Sequence, residues 1–145
     1  MRLSAKGEYG LLAVIDLALH ATEGPVQSFQ IAERQGIPKQ YLDQLMLILK
    51  KSDLVESSRG RQGGYMLARP ANRITLYEIV TALEGPLENT NFLSKKTRPR
   101  IPAREILNTI WEGLVGSVAE RLRQTTLEEI CDEHRRLENQ IMYYI

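Results

Sequence analysis

The chain reads as mainly α with a small β-hairpin wing (α+β), a winged helix-turn-helix followed by a long helix. Three observations predict this. A short and a longer helical segment are separated only by Gly36-Ile37. Two short apolar runs come next, joined by the glycine-rich stretch RGRQGGY, Arg59 to Tyr65. After a polar segment, helical periodicity resumes at Ala103 and lasts for about twenty residues.

The elements follow in order. Tyr9 to Ala21 is apolar except for Gly10 and Asp16, so it reads as a helix buried on most sides, stopped by Glu23-Gly24-Pro25. Ser28 is the expected N-cap of a short helix, Phe29 to Gln35, with Gly36 at its C-terminal stop. Pro38 suits the first position of the next helix, which runs to Lys51. On that helix Leu42, Leu45, Met46 and Leu49 follow i, i+3, i+4, i+7 spacing and should face the core. Gln40, Asp43, Leu47 and Lys50 fall opposite, flanked by Lys39 and Gln44. Leu47 is the odd member of this polar face.

LVESS and GYMLA alternate as strands of a hairpin, in which Val55 and Ser57 share a face, as do Tyr65 and Leu67. Thr75 to Glu78 is a capping box opening a helix to about Glu84, and Gly85-Pro86 ends it. The segment ENTNFLSKKTRPRIPAR, with five cations and two prolines, reads as a loop or linker. Beyond it, Leu107, Ile110, Trp111, Leu114, Val118 and Leu122 form one apolar stripe. Thr126 to Glu129 is a second capping box, opening the last helix. The expected division is a winged helix-turn-helix unit at 1–85, a linker at 86–102, and the long helix with a C-terminal helix at 103–145.

The chain has 145 residues, 43% hydrophobic and 26% charged, an ordinary composition for one domain with a modest core. No apolar run approaches the roughly 20 residues of a membrane span, and the N-terminus lacks a signal-like apolar region. The single cysteine, Cys131, cannot close an intramolecular disulfide. A cytoplasmic protein without a membrane partner is expected. Net charge is only +1, but between Pro38 and Arg73 seven cations face three acids. That local surplus creates a field which the overall count hides.

These features point to double-stranded DNA. A helix fits the major groove, about 12 Å wide, and presents its outer side chains to base edges. The hairpin tip would reach over the phosphates, where Gly60, Gly63 and Gly64 permit close backbone approach and Arg59 and Arg61 supply charge. A nucleotide cradle is excluded because no GK[ST] follows the glycines. The long apolar stripe would be a large exposed patch on a monomer, so a homodimer is expected. Two half-sites about 34–36 Å apart would then match its two-fold axis.

Catalysis finds no residue set. His20 ends the first helix, where it suits a capping or dipole role. His134 lies in a charged run, Cys131 reads as a packed small residue, and Asp16 as the buried partner of a cation or backbone donor. Neither a catalytic constellation nor a metal spacing is present. The rival reading is a regulatory protein-interaction module, switched by a partner protein or a small metabolite.

Six ordered stretches, MRLSAKGEYGL, DLALH, IAERQGIPKQYLDQL, RGRQGGYMLARP, ITLYEIV and ALEGPL, resemble the Rrf-two family of bacterial transcription regulators. The resemblance implies a winged-helix dimer, in which a long helix crosses to the partner, and a DNA operator as ligand; the whole chain reads as a homodimeric repressor of a palindromic operator. By the same resemblance, Pro38, Gln40, Asp43 and Arg59 read bases, while Arg2, Lys6, Tyr41 and Arg61 touch the backbone. Ser28, Lys39, Gln44, Gly60, Gln62, Gly63 and Gly64 complete the expected DNA face.

Two departures stand out. Arg61 and Gln62 replace the proline and glycine usual in the family's wing. The cluster-binding members carry three cysteines in the loop corresponding to Glu84 to Arg104, and this chain has none there. Glu8 stands where some relatives add an oxygen ligand, but one carboxylate does not replace three thiolates. No iron–sulfur cluster is expected in the usual site, and no other cofactor.

Overall fold

Helix α1 spans Ala5–Leu19 and begins well before the apolar run, because Ser4 caps it by accepting from the Gly7 N–H at 3.2 Å. This computed structural model describes residues 2–89 and 101–144. Positions 90–100, most of the expected linker and the greater part of the cationic stretch at 95–104, lie outside the described residues.

α1 ends at His20, whose Nδ1 lies 2.8 Å from the Asp16 carbonyl, the capping role expected of it. α2 covers Ser28–Gln35 and α3 Lys39–Lys51. Two expected caps shift by one residue. Ser28 is already helical, and Gln27 precedes the helix, its N–H donating to Gln30 Oε1 at 3.0 Å. Pro38 is likewise the cap of α3 rather than its first helical residue. Between the two helices Gly36 takes a left-handed φ of 64°, which a side chain would oppose.

Strands β1 (Val55–Ser58) and β2 (Gly64–Leu67) pair antiparallel with Val55 opposite Leu67 and Ser57 opposite Tyr65. The expected sharing of faces is therefore borne out. α4 runs from Leu76 to Glu84, α5 from Pro102 to Gln124 and α6 from Leu127 to Tyr143, with both threonine capping boxes formed.

The core lies among α1, α2, α3 and α4. Leu42, Leu45, Met46 and Leu49 are all buried there, as their spacing requires. Burying one such side chain contributes about 1.5–3 kcal/mol, so this one helix face anchors α3 firmly. The start of α6 returns to this core, burying Leu127 and Cys131. A short antiparallel bridge seats it, with Leu127 N–H donating to Ile74 at 2.8 Å and Leu76 N–H to Thr125 at 2.9 Å.

Asp16 is the one buried charged residue among those described, and its partner is a cation as expected. Arg34 of α2 donates to both carboxylate oxygens at 2.6 and 2.9 Å, and Gln35 donates at 2.9 Å. A paired and hydrogen-bonded carboxylate escapes most of the penalty of burial. Through it, α1 holds the helix that sets the position of α3.

Candidate nucleic-acid interface

α3 turns its apolar face inward, so Gln40, Gln44, Leu47, Lys50 and Lys51 are left exposed on the outer side. Asp43 is on that side too, but its carboxylate accepts from Lys39 Nζ at 2.8 Å. The pair is surface-exposed and adds little to stability. Its local effect is to cancel the negative charge that would repel phosphates. Tyr41, expected to touch the backbone, is half-buried and packs edge-on against Tyr9 with ring centroids 5.9 Å apart. Its ring thereby ties α3 to α1.

The wing stands beside the C-terminal half of α3. Lys50 Nζ donates to Ser57 Oγ of β1 at 2.5 Å. From the other side, Val26 and Tyr65 exchange backbone hydrogen bonds of 2.9 and 2.7 Å, joining β2 to the segment before α2. The hairpin is thus fixed, one residue pair below its turn, to α3 and to the segment that leads into α2.

At its tip, Gly60 takes a φ of 107°. Gly63 is buried under the turn, where an added Cβ would stand 2.3 Å from the Ser58 carbonyl oxygen. Arg59, Arg61 and Gln62 are exposed. Neither arginine's guanidinium has an ion-pair partner among the described residues. Arg69, counted in the local cationic surplus, is different. It donates to Glu78 Oε1 at 2.9 Å and to the Arg73 carbonyl at 2.9 Å, so it braces the turn before α4.

Ser28 sits half-buried at the first turn of α2. Arg2 is exposed, and Lys6 is half-buried on the first turn of α1. Their segment is held by Glu84, whose carboxylate accepts from the Ser4 N–H at 3.2 Å and from the Ser4 hydroxyl. Arg2 lines a cleft of about 560 Å³ bounded by α1, α4 and α5, with Leu11, Val80 and Trp111 among its walls. No hydrogen bond or ion pair among the described residues joins Arg2 or Lys6 to α3 or the wing.

The stripe on α5 divides. Trp111, Val118 and Leu122 line that same cleft, turned towards the chain's own α1 and α4. Leu107, Ile110 and Leu114 are 46%, 56% and 56% exposed, and Ile106, which the sequence reading passed over, is 59% exposed. Spacing of 106, 110 and 114 by four residues is the signal that would have found it. Near the end of α5, Arg123 lies 4.0 Å over the Tyr77 ring and donates to Glu88 at 2.8 Å.

An outward polar helix face with a cationic hairpin fixed beside it is the geometry of a winged-helix DNA-binding protein. The chain belongs to the Rrf2 (Rrf-two) family: the family model, described as an iron-dependent transcriptional regulator, matches residues 3–133. The regulator IscR of Pectobacterium atrosepticum is 38% identical over 132 residues, covering 91% of this chain and 80% of that protein. IscR of Xenorhabdus nematophila is 38% identical over 138 residues, covering 95% and 84%.

Among solved structures, CymR, the global cysteine regulator of B. subtilis, superposes with a TM-score of 0.79 at 35% identity, covering 92% of this chain and 98% of that one. IscR of T. potens gives 0.77 at 37% identity, covering 92% and 88%. The protein is a DNA-binding transcriptional regulator of the winged-helix type and not an enzyme. Among the described residues no helix is long and apolar enough to cross a membrane.

The residues present do not fit a thiolate-held cluster. The single cysteine of the chain lies in α6, only 2% exposed, packed against the core. Burial pushes its thiol above the ordinary range, opposite to what a metal ligand needs.

Proposed function

We propose that the protein is a cytoplasmic homodimeric repressor that binds a palindromic operator and carries no iron–sulfur cluster at the family's usual position. The observation that carries the DNA-binding part is the pairing of surfaces: α3's exposed amides and lysines lie beside a wing whose two arginines have no ion-pair partner among the described residues. In this reading Gln40 and Gln44 read base edges, while Arg59 and Arg61 contact phosphate or the adjacent minor groove. Exposed Ile106, Leu107, Ile110 and Leu114 support pairing of α5 with a second copy, because together they form an apolar strip on a single helix. A regulator without a cluster needs another signal, and a partner protein or small metabolite is the proposed effector.

The decisive experiment selects duplexes from a random library with the full-length protein, then measures binding against random competitor at moderate salt. Sedimentation gives the oligomeric state of the free protein. A dimer preferring selected over random duplex is expected, with Gln40→Ala relaxing one base position by about 1–3 kcal/mol. A monomer, or equal affinity for all duplexes, refutes the proposal.

A further inference from the structure

We propose that Leu47 packs against the C5-methyl group of a thymine in the operator, giving α3 an apolar base contact among its polar ones. This rests on the docking of α3 proposed above and adds a specificity-determining residue to it.

Leu47 is 57% exposed, whereas Leu42, Leu45, Met46 and Leu49 of the same helix are at most 1% exposed. It is therefore no part of the core stripe. At about 100° per residue it lies within roughly 20° of Gln40 around the helix axis, at the centre of the outward face. Its neighbours one turn before and after, Asp43 and Lys50, are tied to Lys39 at 2.8 Å and to Ser57 at 2.5 Å. The isobutyl group between them stands free of both ties.

A leucine neither donates nor accepts a hydrogen bond, so it cannot distinguish bases by their polar edges. Of the four bases, only thymine presents a methyl group in the major groove, and apolar side chains read it by contact. Seven residues at about 1.5 Å each place Leu47 about 10.5 Å along the axis from Gln40. The thymine is therefore a different base from the one met by Gln40.

The test uses the selected duplex, with each thymine replaced in turn by deoxyuridine, which removes the methyl and leaves the polar edge intact. Wild-type protein should bind about fourfold more weakly per half-site at one symmetric pair of positions, the effect of one buried methyl at about 0.8 kcal/mol. Leu47→Ala should bind the thymine duplex more weakly and lose the distinction at that pair only. Leu47→Met should keep it. Both substitutions sit on an exposed position, and an unchanged melting temperature checks that folding is intact. The proposal is overturned if Leu47→Ala retains every uracil effect of the wild type, or if no thymine responds while Gln40→Ala still relaxes specificity. Should the wild type prefer no duplex at all, the docking of α3 falls first, and this contact with it.

Discussion

Arg34 of α2 grips the wholly buried carboxylate of Asp16 in α1 with two hydrogen bonds, at 2.6 and 2.9 Å. Gln35 adds a third bond, so the first helix of the helix-turn-helix is fixed in both place and rotation. The two ends of the pair are unequal. Arg34's side chain is 34% exposed and Asp16's is 0%.

That inequality predicts unequal costs. Arg34→Ala leaves a buried carboxylate with Gln35 as its hydrogen-bond donor and His20 Nδ1 3.7 Å away, and urea denaturation should show a loss of about 3–5 kcal/mol. Asp16→Ala leaves a guanidinium that water can reach, so its loss should be smaller, about 1–3 kcal/mol. The reverse order would mean that the carboxylate finds solvent.

Arg61→Ala should weaken binding to all duplexes alike and reduce the slope of log K against log salt by about one unit, as loss of one phosphate contact does. Titration by fluorescence anisotropy at several salt concentrations checks this. A change confined to one base position would reassign Arg61 to base reading.

Gly63→Ala places a Cβ 2.3 Å from a backbone oxygen that cannot swing aside. Overpacking of this kind costs about 1–3 kcal/mol, and here it falls on the wing tip. Operator affinity should drop while the buried helices keep their native hydrogen-exchange protection. Intact affinity would show that the wing does not engage DNA.

Acid should weaken the turn before α4. Burial opposes ionisation of Glu78, but the Thr75 N–H and Arg69 outweigh it and hold the carboxyl below its usual range. A folded pKa below the unfolded one means the contribution is complete above the unfolded value, and it is lost as pH falls through the folded one. Glu78→Gln should therefore lower stability at pH 7 and make less difference at pH 3. Urea midpoints at the two pH values decide it.

Cys131 should resist thiol reagents in the native protein and react once it unfolds, because it is buried and its thiol is pushed upward. Timed labelling with and without denaturant measures this. Rapid native labelling would show that the start of α6 leaves the core.

The sequence carried the short-range design well. The α3 core face, the shared faces within each strand of the hairpin and both threonine capping boxes depend on residues a few positions apart, and periodicity encodes such relations directly. The Lys39–Asp43 ion pair follows from the same spacing, since i, i+4 residues meet on a helix, although both groups are placed on the outer face above without being paired. The family resemblance, rather than periodicity, supplied the roles of Arg2, Lys6 and Tyr41. Of these, the structure gives Tyr41 an additional packing role against Tyr9.

By itself, then, the sequence determined the order of helices and strands, the buried side of α3, and the presence of cations and glycines at the hairpin tip. Folding in three dimensions decided the rest. It joined Glu84 to Ser4, Arg34 to Asp16 and Leu127 to Ile74, and it turned one half of the α5 stripe inward while leaving the other exposed. Local spacing constrains only neighbours on one element, whereas contacts between elements arise from how whole faces pack. Which cation meets which acid, and which leucine stays wet, is set only when those faces meet.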